Sequence, residues 1–297
     1  MRFTSPMSAD GASFTLDDIP GVLWTPEHVP GPWPLIVLGH GGGQHKLAPG
    51  VTGPARRFVA AGFAVVAVDA PHHGDRPKSA GFVRVTAENR AAMQAGEDVA
   101  ARFTALHAEL ARQAVPEWQA VVTELFRYVG EGPVGYRGVS MGCGLGLPFV
   151  AADGRVRAAV LGLAGVPIPG GAAGAPGVPG TAGLPGAAGV PGAGGVPGVP
   201  GAGGVPGVAG LGGLAEVAGR VAVPVQFLVQ WDDRLVPREE ALALFDALGS
   251  AEKTLHANPG DHGEVPRAET EDATHFFTRH LTQPGLAGLE MARSGAA

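Results

Sequence analysis

Between residues 20 and 281 the hydrophobic positions follow two patterns in alternation. Short runs are apolar almost without interruption, and longer stretches repeat an apolar residue every three or four positions. The first pattern suits strands buried on both faces of a parallel sheet, and the second suits helices with one apolar face. Runs of this first kind occupy 35–39, 63–69, 134–139, 158–163 and 223–230, with shorter strand candidates at 21–24 and 253–257. Helical spacing fills 53–61, 86–128, 238–248 and 267–281. The 86–128 stretch carries a break at Val115-Pro116 and so predicts two helices. Phe103, Leu106 and Leu110 lie on one face of the first, while Trp118, Val121, Val122, Leu125 and Phe126 turn the second toward the sheet. Strands alternating with helices predict an α/β domain built on a mostly parallel sheet.

One stretch belongs to neither pattern. From 171 to 213 every third residue is glycine, with Pro, Ala or Val between and no charged residue. By composition it is collagen-like. A triple helix of that length would hold its ends roughly 130 Å apart, whereas the flanking strands belong to one sheet. A flexible coil of the same length spans about 35 Å, so a disordered low-complexity insert is the expectation. The domain organisation that follows is one α/β domain over 1–281, interrupted by this insert, with a flexible tail over 282–297.

Composition narrows the function classes. The 297 residues are 45% hydrophobic and 16% charged, enough for a substantial core, and the net charge is −6. The acidic balance and the lack of a Lys/Arg cluster argue against nucleic acid. No apolar run reaches membrane-spanning length. A single cysteine, Cys143, rules out an intrachain disulfide; with an N-terminal stretch that has neither a basic nor an apolar leader region, it predicts a reducing, cytoplasmic setting.

The candidate chemistry sits where the strands end. Run 134–139 leads into Gly138-Val139-Ser140-Met141-Gly142, the spacing of a nucleophile elbow. A serine on a sharp strand-to-helix turn has a strained backbone, and glycines two places before and after let strand and helix pack closely. With 49 glycines in the chain the pattern alone says little, so its surroundings must carry it. His40-Gly41-Gly42-Gly43 directly follows run 35–39, and glycines there let backbone N–H groups approach a developing oxyanion. A phosphate cradle fails on spacing, because Gln44 stands where the dinucleotide pattern needs glycine and Lys46 does not follow a glycine. Run 63–69 ends in Asp69 and opens into the loop Pro71-His72-His73-Gly74-Asp75-Arg76 on the same edge. The adjacent histidines match no metal spacing, and a loop-stabilising hydrogen-bond role is expected of them. Run 223–230 ends in Trp231-Asp232-Asp233, where a carboxylate can hold a histidine in the tautomer a serine nucleophile needs. Beyond the last strand, Gly260-Asp261-His262-Gly263 offers that histidine on a glycine loop. Cys143 is three places past the serine and reads as a packing residue.

Ser140, then an acid, then His262 is the chain order of the α/β-hydrolase triad. The sequence resembles the α/β-hydrolase superfamily over about residues 20 to 281, the glycine insert excepted. Its HGGG loop, Asp-x-x-Val-Pro and Gly-Asp-His-Gly segments look like the dienelactone-hydrolase-like and serine esterase branches. The resemblance implies an eight-stranded, mostly parallel sheet, and selects Asp233 over Asp232 as the acid three residues before Val236. It implies an acyl-enzyme mechanism on a carboxylic ester, with thioesters and amides less favoured. Ser140 would attack, His262 would move the proton, Asp233 would orient His262, and the N–H groups of Gly42 and Met141 would form the oxyanion hole. No cofactor and no metal are implied, and the expected partner is a small-molecule ester, with monomer and dimer both open. Dienelactone hydrolases proper carry cysteine at the elbow, so their substrate does not transfer to a chain with Ser140. Two alternatives stand beside this reading: a trimeric, collagen-type structural or binding protein with an inert hydrolase-like part, and a non-hydrolytic enzyme on the same fold.

Overall fold

The computed structural model describes residues 1–168 and 213–282. The predicted glycine-rich insert, apart from Gly213, and the tail beyond Thr282 therefore lie outside the described residues. Nine strands form one sheet: β1 (Arg2–Phe3), β2 (Ala12–Leu16), β3 (Ile19–Trp24), β4 (Leu35–Gly39), β5 (Ala64–Val68), β6 (Val134–Val139), β7 (Val156–Gly162), β8 (Val225–Gln230) and β9 (Lys253–Asn258). Their spatial order is β1-β2-β3-β5-β4-β6-β7-β8-β9. The first three run antiparallel to their neighbours, and the pairs from β5 to β9 are all parallel.

The expected eight strands become nine because the chain begins with a short antiparallel extension. β2 alternates buried Ala12 and Phe14 with exposed Ser13, the signature of a strand that buries one face. β4 and β5 carry the continuous apolar pattern because helices cover both of their faces.

Seven helices are described: α1 (Pro49–Ala60), α2 (Ala80–Gln94), α3 (Ala100–Val129), α4 (Met141–Ala152), α5 (Leu214–Gly219), α6 (Arg238–Ala247) and α7 (Ala268–Leu281). α1 and α7 pack on one face of the sheet, around Ile36, Val65, Phe58 and Phe277. α3 to α6 pack on the other, around Tyr136, Trp118, Leu145 and Phe227.

The expected break at Val115-Pro116 is not there; α3 runs through Pro116 for 30 residues. Proline inside a helix costs roughly 3 kcal/mol. Here Ala114, Val115, Trp118, Val121 and Val122 continue a buried stripe across it, and Trp118 stacks on Tyr136 at 5.6 Å. Burying side chains of that size contributes about 1.5–3 kcal/mol each, enough to hold the helix together. The true break lies between α2 and α3, where Gly96 takes φ +75°.

The parallel strands all deliver their C-terminal ends to one edge. His40 leaves β4 there, Asp69 leaves β5, Ser140 leaves β6 and Trp231 leaves β8. No described helix is long and apolar enough to cross a membrane.

Candidate active site

Ser140 has φ 57° and ψ −127°, a left-handed conformation for a residue with a side chain. Such a backbone costs about 1–3 kcal/mol and persists only when its surroundings enforce it. They do so here on both sides of the turn. The Ser140 N–H donates to Gly162 O at 3.0 Å, and the Ser140 carbonyl accepts from Cys143 N–H at 2.8 Å. The buried Tyr136 hydroxyl donates to Gly142 O at 2.6 Å, drawing α4 down onto the strand it leaves. A Cβ at Gly142 would come 2.9 Å from Gly39 O, and one at Gly138 would overlap the Gly142 carbonyl. The two glycines of the elbow are therefore steric requirements of this turn.

The serine faces His262, whose Nε2 lies 2.9 Å from Ser140 Oγ. His262 Nδ1 lies 2.7 Å from Asp233 Oδ2. An ionised carboxylate only accepts, so Nδ1 carries the proton and Nε2 offers its lone pair to the serine hydroxyl. Asp233 is almost wholly buried at its side chain, and its Oδ1 accepts from the Leu235 and Val236 N–H groups at 2.8 and 3.0 Å. Asp232 turns away, accepting from Gly260 N–H at 3.1 Å and so fixing the loop that carries His262. The same loop is held by Asp261, which accepts from His262 N–H at 2.8 Å and from Arg234 Nε at 2.9 Å. Partial burial works against the Asp261 charge, but these donors prevail and hold its carboxyl below its ordinary range.

Gly42 stands opposite Met141; a Cβ on Gly42 would lie 3.9 Å from Met141 Cβ. Among the described residues neither backbone N–H has a hydrogen-bond partner outside regular structure.

The glycine loop is tied down at both ends. His40 Nε2 accepts from Ala70 N–H at 3.0 Å, so its Nδ1 proton points to Gly41 O at 2.9 Å. Burial pulls the His40 pKa from 6.5 to about 4 and keeps the ring neutral. Further on, Lys46 Nζ donates to Asp69 at 2.7 Å and to Asp75 at 2.6 Å, and Asp69 also accepts the Lys46 and Asp75 N–H groups at 2.9 Å each. Burial disfavours both charges, yet these bonds outweigh it, raising the lysine and lowering Asp69. Arg76 continues the chain of contacts with two bonds to Glu117 of α3, at 2.6 and 2.8 Å. The side-chain pairings Lys46–Asp69, Arg76–Glu117 and Arg234–Asp261 escape sequence reasoning because their members stand 23, 41 and 27 residues apart in the chain.

His72 and His73 place Nδ1 3.1 Å from Pro77 O and 2.8 Å from Pro71 O, which spends one ring nitrogen of each on shaping the loop. Cys143 is fully buried and its thiol is pushed up to about 12, so it stays protonated and inert at neutral pH. Among the described residues one group, His256, Glu269 and Asp272, has side-chain atoms close enough to share a metal ion. It lies on β9 and α7, and none of the three lines the cavity at the serine.

That cavity, of about 1800 Å³, contains Ser140, His262, Gly42 and Met141 in its wall. His73, Phe82, Phe103 and His107 also line it. His107 lies against Gly144, one turn past the serine, and burial brings its pKa to about 4.

No family model matches the chain, and no curated protein matches it. Solved structures do. A cold-adapted esterase from an Arctic intertidal metagenomic library, in its PEG-bound form, is 31% identical over 91% of this chain and 93% of its own, with a TM-score of 0.60. Its native form aligns at 28% identity, with a TM-score of 0.56. Est1E from Butyrivibrio proteoclasticus, solved with ferulic acid, shares the fold at 16% identity and a TM-score of 0.57, covering 90% of this chain and 98% of its own. A Klebsiella pneumoniae protein assigned as a dienelactone hydrolase does so at 13% identity and 0.57, covering 89% and 93%. A nine-stranded, mostly parallel sheet that presents a serine on a strained turn, together with the identity to the Arctic esterase along nearly the whole of both chains, places this chain in the α/β-hydrolase superfamily, in its esterase and dienelactone-hydrolase-like branch.

Proposed function

We propose that this chain is a serine esterase that cleaves a carboxylic ester through an acyl-enzyme. Ser140 Oγ attacks the ester carbonyl while His262 Nε2 takes its proton. Asp233 holds the imidazole tautomer and stabilises the imidazolium that forms. The N–H groups of Gly42 and Met141 receive the negative charge that develops on the carbonyl oxygen. As the tetrahedral intermediate collapses, the alkoxide leaves with the proton from His262. Water, deprotonated by the same histidine, then releases the acid and restores the serine.

The observation that carries this reading is the unbroken series from Ser140 through His262 to Asp233, at 2.9 and 2.7 Å. The likeness to the Arctic esterase, a protein named for that activity, supports the ester as substrate. The collagen-type alternative rests on residues outside those described and finds no support among the similar structures.

A fluorophosphonate probe should label Ser140, and Ser140→Ala should abolish both labelling and turnover of p-nitrophenyl esters. Labelling that persists in the folded variant overturns the assignment.

A further inference from the structure

Arg137 stands on β6 three residues before Ser140, about 10 Å back along the strand. Side chains alternate along β6, so Tyr136 packs toward α3 while Arg137 and Val139 turn to the face covered by α1 and α7. Arg137 is 7% exposed, and among the described residues its Nε has no hydrogen-bond partner. It belongs to none of the ion pairs the described residues form. The acid whose field reaches it is Glu269 of α7, but that carboxylate is already engaged by His256 at 2.9 Å and Asn258 at 2.8 Å. Burial lowers the guanidinium pKa only to about 10, so it is charged at neutral pH. A buried cation without a directly bonded anion is an expensive arrangement, and a carboxylate is its natural complement.

Arg137 lines the same cavity as Ser140, Gly42 and His262. Arg56, Arg57, Lys78, Arg90 and Arg267 line it too, against two acids, Glu240 and Glu271. Glu271 is itself paired with Arg57. In a chain of net charge −6 the cavity is thus a positive enclave, where low-dielectric walls concentrate the field on an incoming anion.

We propose that Arg137 determines specificity by receiving a carboxylate on the substrate, so that the preferred substrates are anionic esters. The proposal rests on the serine-esterase reading above. The exposed cationic side chains that line the cavity steer, and Arg137 binds.

The test compares kcat/KM within two matched pairs: mono-p-nitrophenyl glutarate against p-nitrophenyl valerate, and 4-carboxyphenyl butyrate against phenyl butyrate. The first places the carboxylate on the acyl side and the second on the alcohol side. Wild-type protein should favour the anionic member of at least one pair tenfold or more. In Arg137→Met, whose folding is checked by its melting curve, that preference should collapse, chiefly through a raised KM for the anionic member of the pair. Arg137→Lys, which keeps the charge but not the planar fork, should retain part of it. Hydrolysis of the neutral esters with no anionic preference in either pair overturns the proposal from wild-type data alone, whether or not the variants fold. An anionic preference that survives in folded Arg137→Met also overturns it. Failure to hydrolyse any of the four esters would instead count against the serine-esterase reading.

Discussion

Asp232 and Asp233 are neighbours in the chain with opposite duties. Asp233 spends one oxygen on His262 and the other on two backbone N–H groups, whereas Asp232 braces Gly260. Asp233→Asn should therefore lower turnover by about 10⁴-fold, as loss of a triad acid can. Asp232→Asn keeps an oxygen able to accept from Gly260 and should remain within about tenfold of wild type. Steady-state kinetics on one p-nitrophenyl ester decides it, and the reverse ranking would show the acid to be misassigned. Ser140 and His262 stood out in the sequence as candidates because each follows a strand-like run and their order along the chain matches a known triad, the glycine context alone being too common in this chain to single them out. The choice between the two acids could not be read locally, since it depends on which way a turn rotates each side chain, and it rested on family resemblance. Arg137 left no local signal either: a lone arginine inside an apolar strand pattern says nothing of what lies across the sheet.

At the scale of elements, the strands were legible and the connections were not. Continuous apolar runs at β4, β5 and β8 announce burial on both faces, a property of the run itself. The helix that ignores Pro116 shows the limit, because packing of Trp118 and its neighbours outweighs a backbone penalty that is all the sequence displays locally. The strongest hidden connection is the lysine clamp between the glycine loop and the exit of β5. Asp69 is wholly buried, so removing its cation strands a charge, a change that typically costs 3–5 kcal/mol. Lys46→Met should lower stability by about that amount in urea denaturation. Activity should fall chiefly in kcat, because the glycine loop loses its anchor while the rest of the cavity wall remains. Asp75, whose side chain is largely exposed, should matter far less: Asp75→Asn is expected to cost under about 1 kcal/mol. Equal losses in the two variants would show that the clamp does not depend on burial.

For the whole molecule, buried neutral histidines set the response to acid. His40 and His107 have pKa values near 4 in the fold, against 6.5 for an ordinary histidine. The unfolded chain therefore binds more protons between those values, so stability is full above about pH 6.5 and declines as pH falls toward 4. Each histidine contributes a slope of at most about 1.4 kcal/mol per pH unit in that window. Asp69, held below its usual range, adds a further loss at lower pH as it too is protonated. Urea midpoints measured at pH 7, 6 and 5 should fall progressively, and His40→Gln, whose amide can accept from Ala70 but cannot titrate, should show a shallower decline. A flat profile from 7 to 5 would count against neutral burial of these rings. The sheet also has a kinetic consequence. Ser140 and His262 are 122 residues apart in sequence, and His262 and Asp233 are 29 apart, so no single segment of the chain carries the site. Loops of that length must close before the three groups meet, and such non-local parallel pairing is intrinsically slow to form. During refolding, the return of esterase activity should therefore lag behind the return of helical signal, making the hydroxyl–imidazole contact a late reporter of completed assembly.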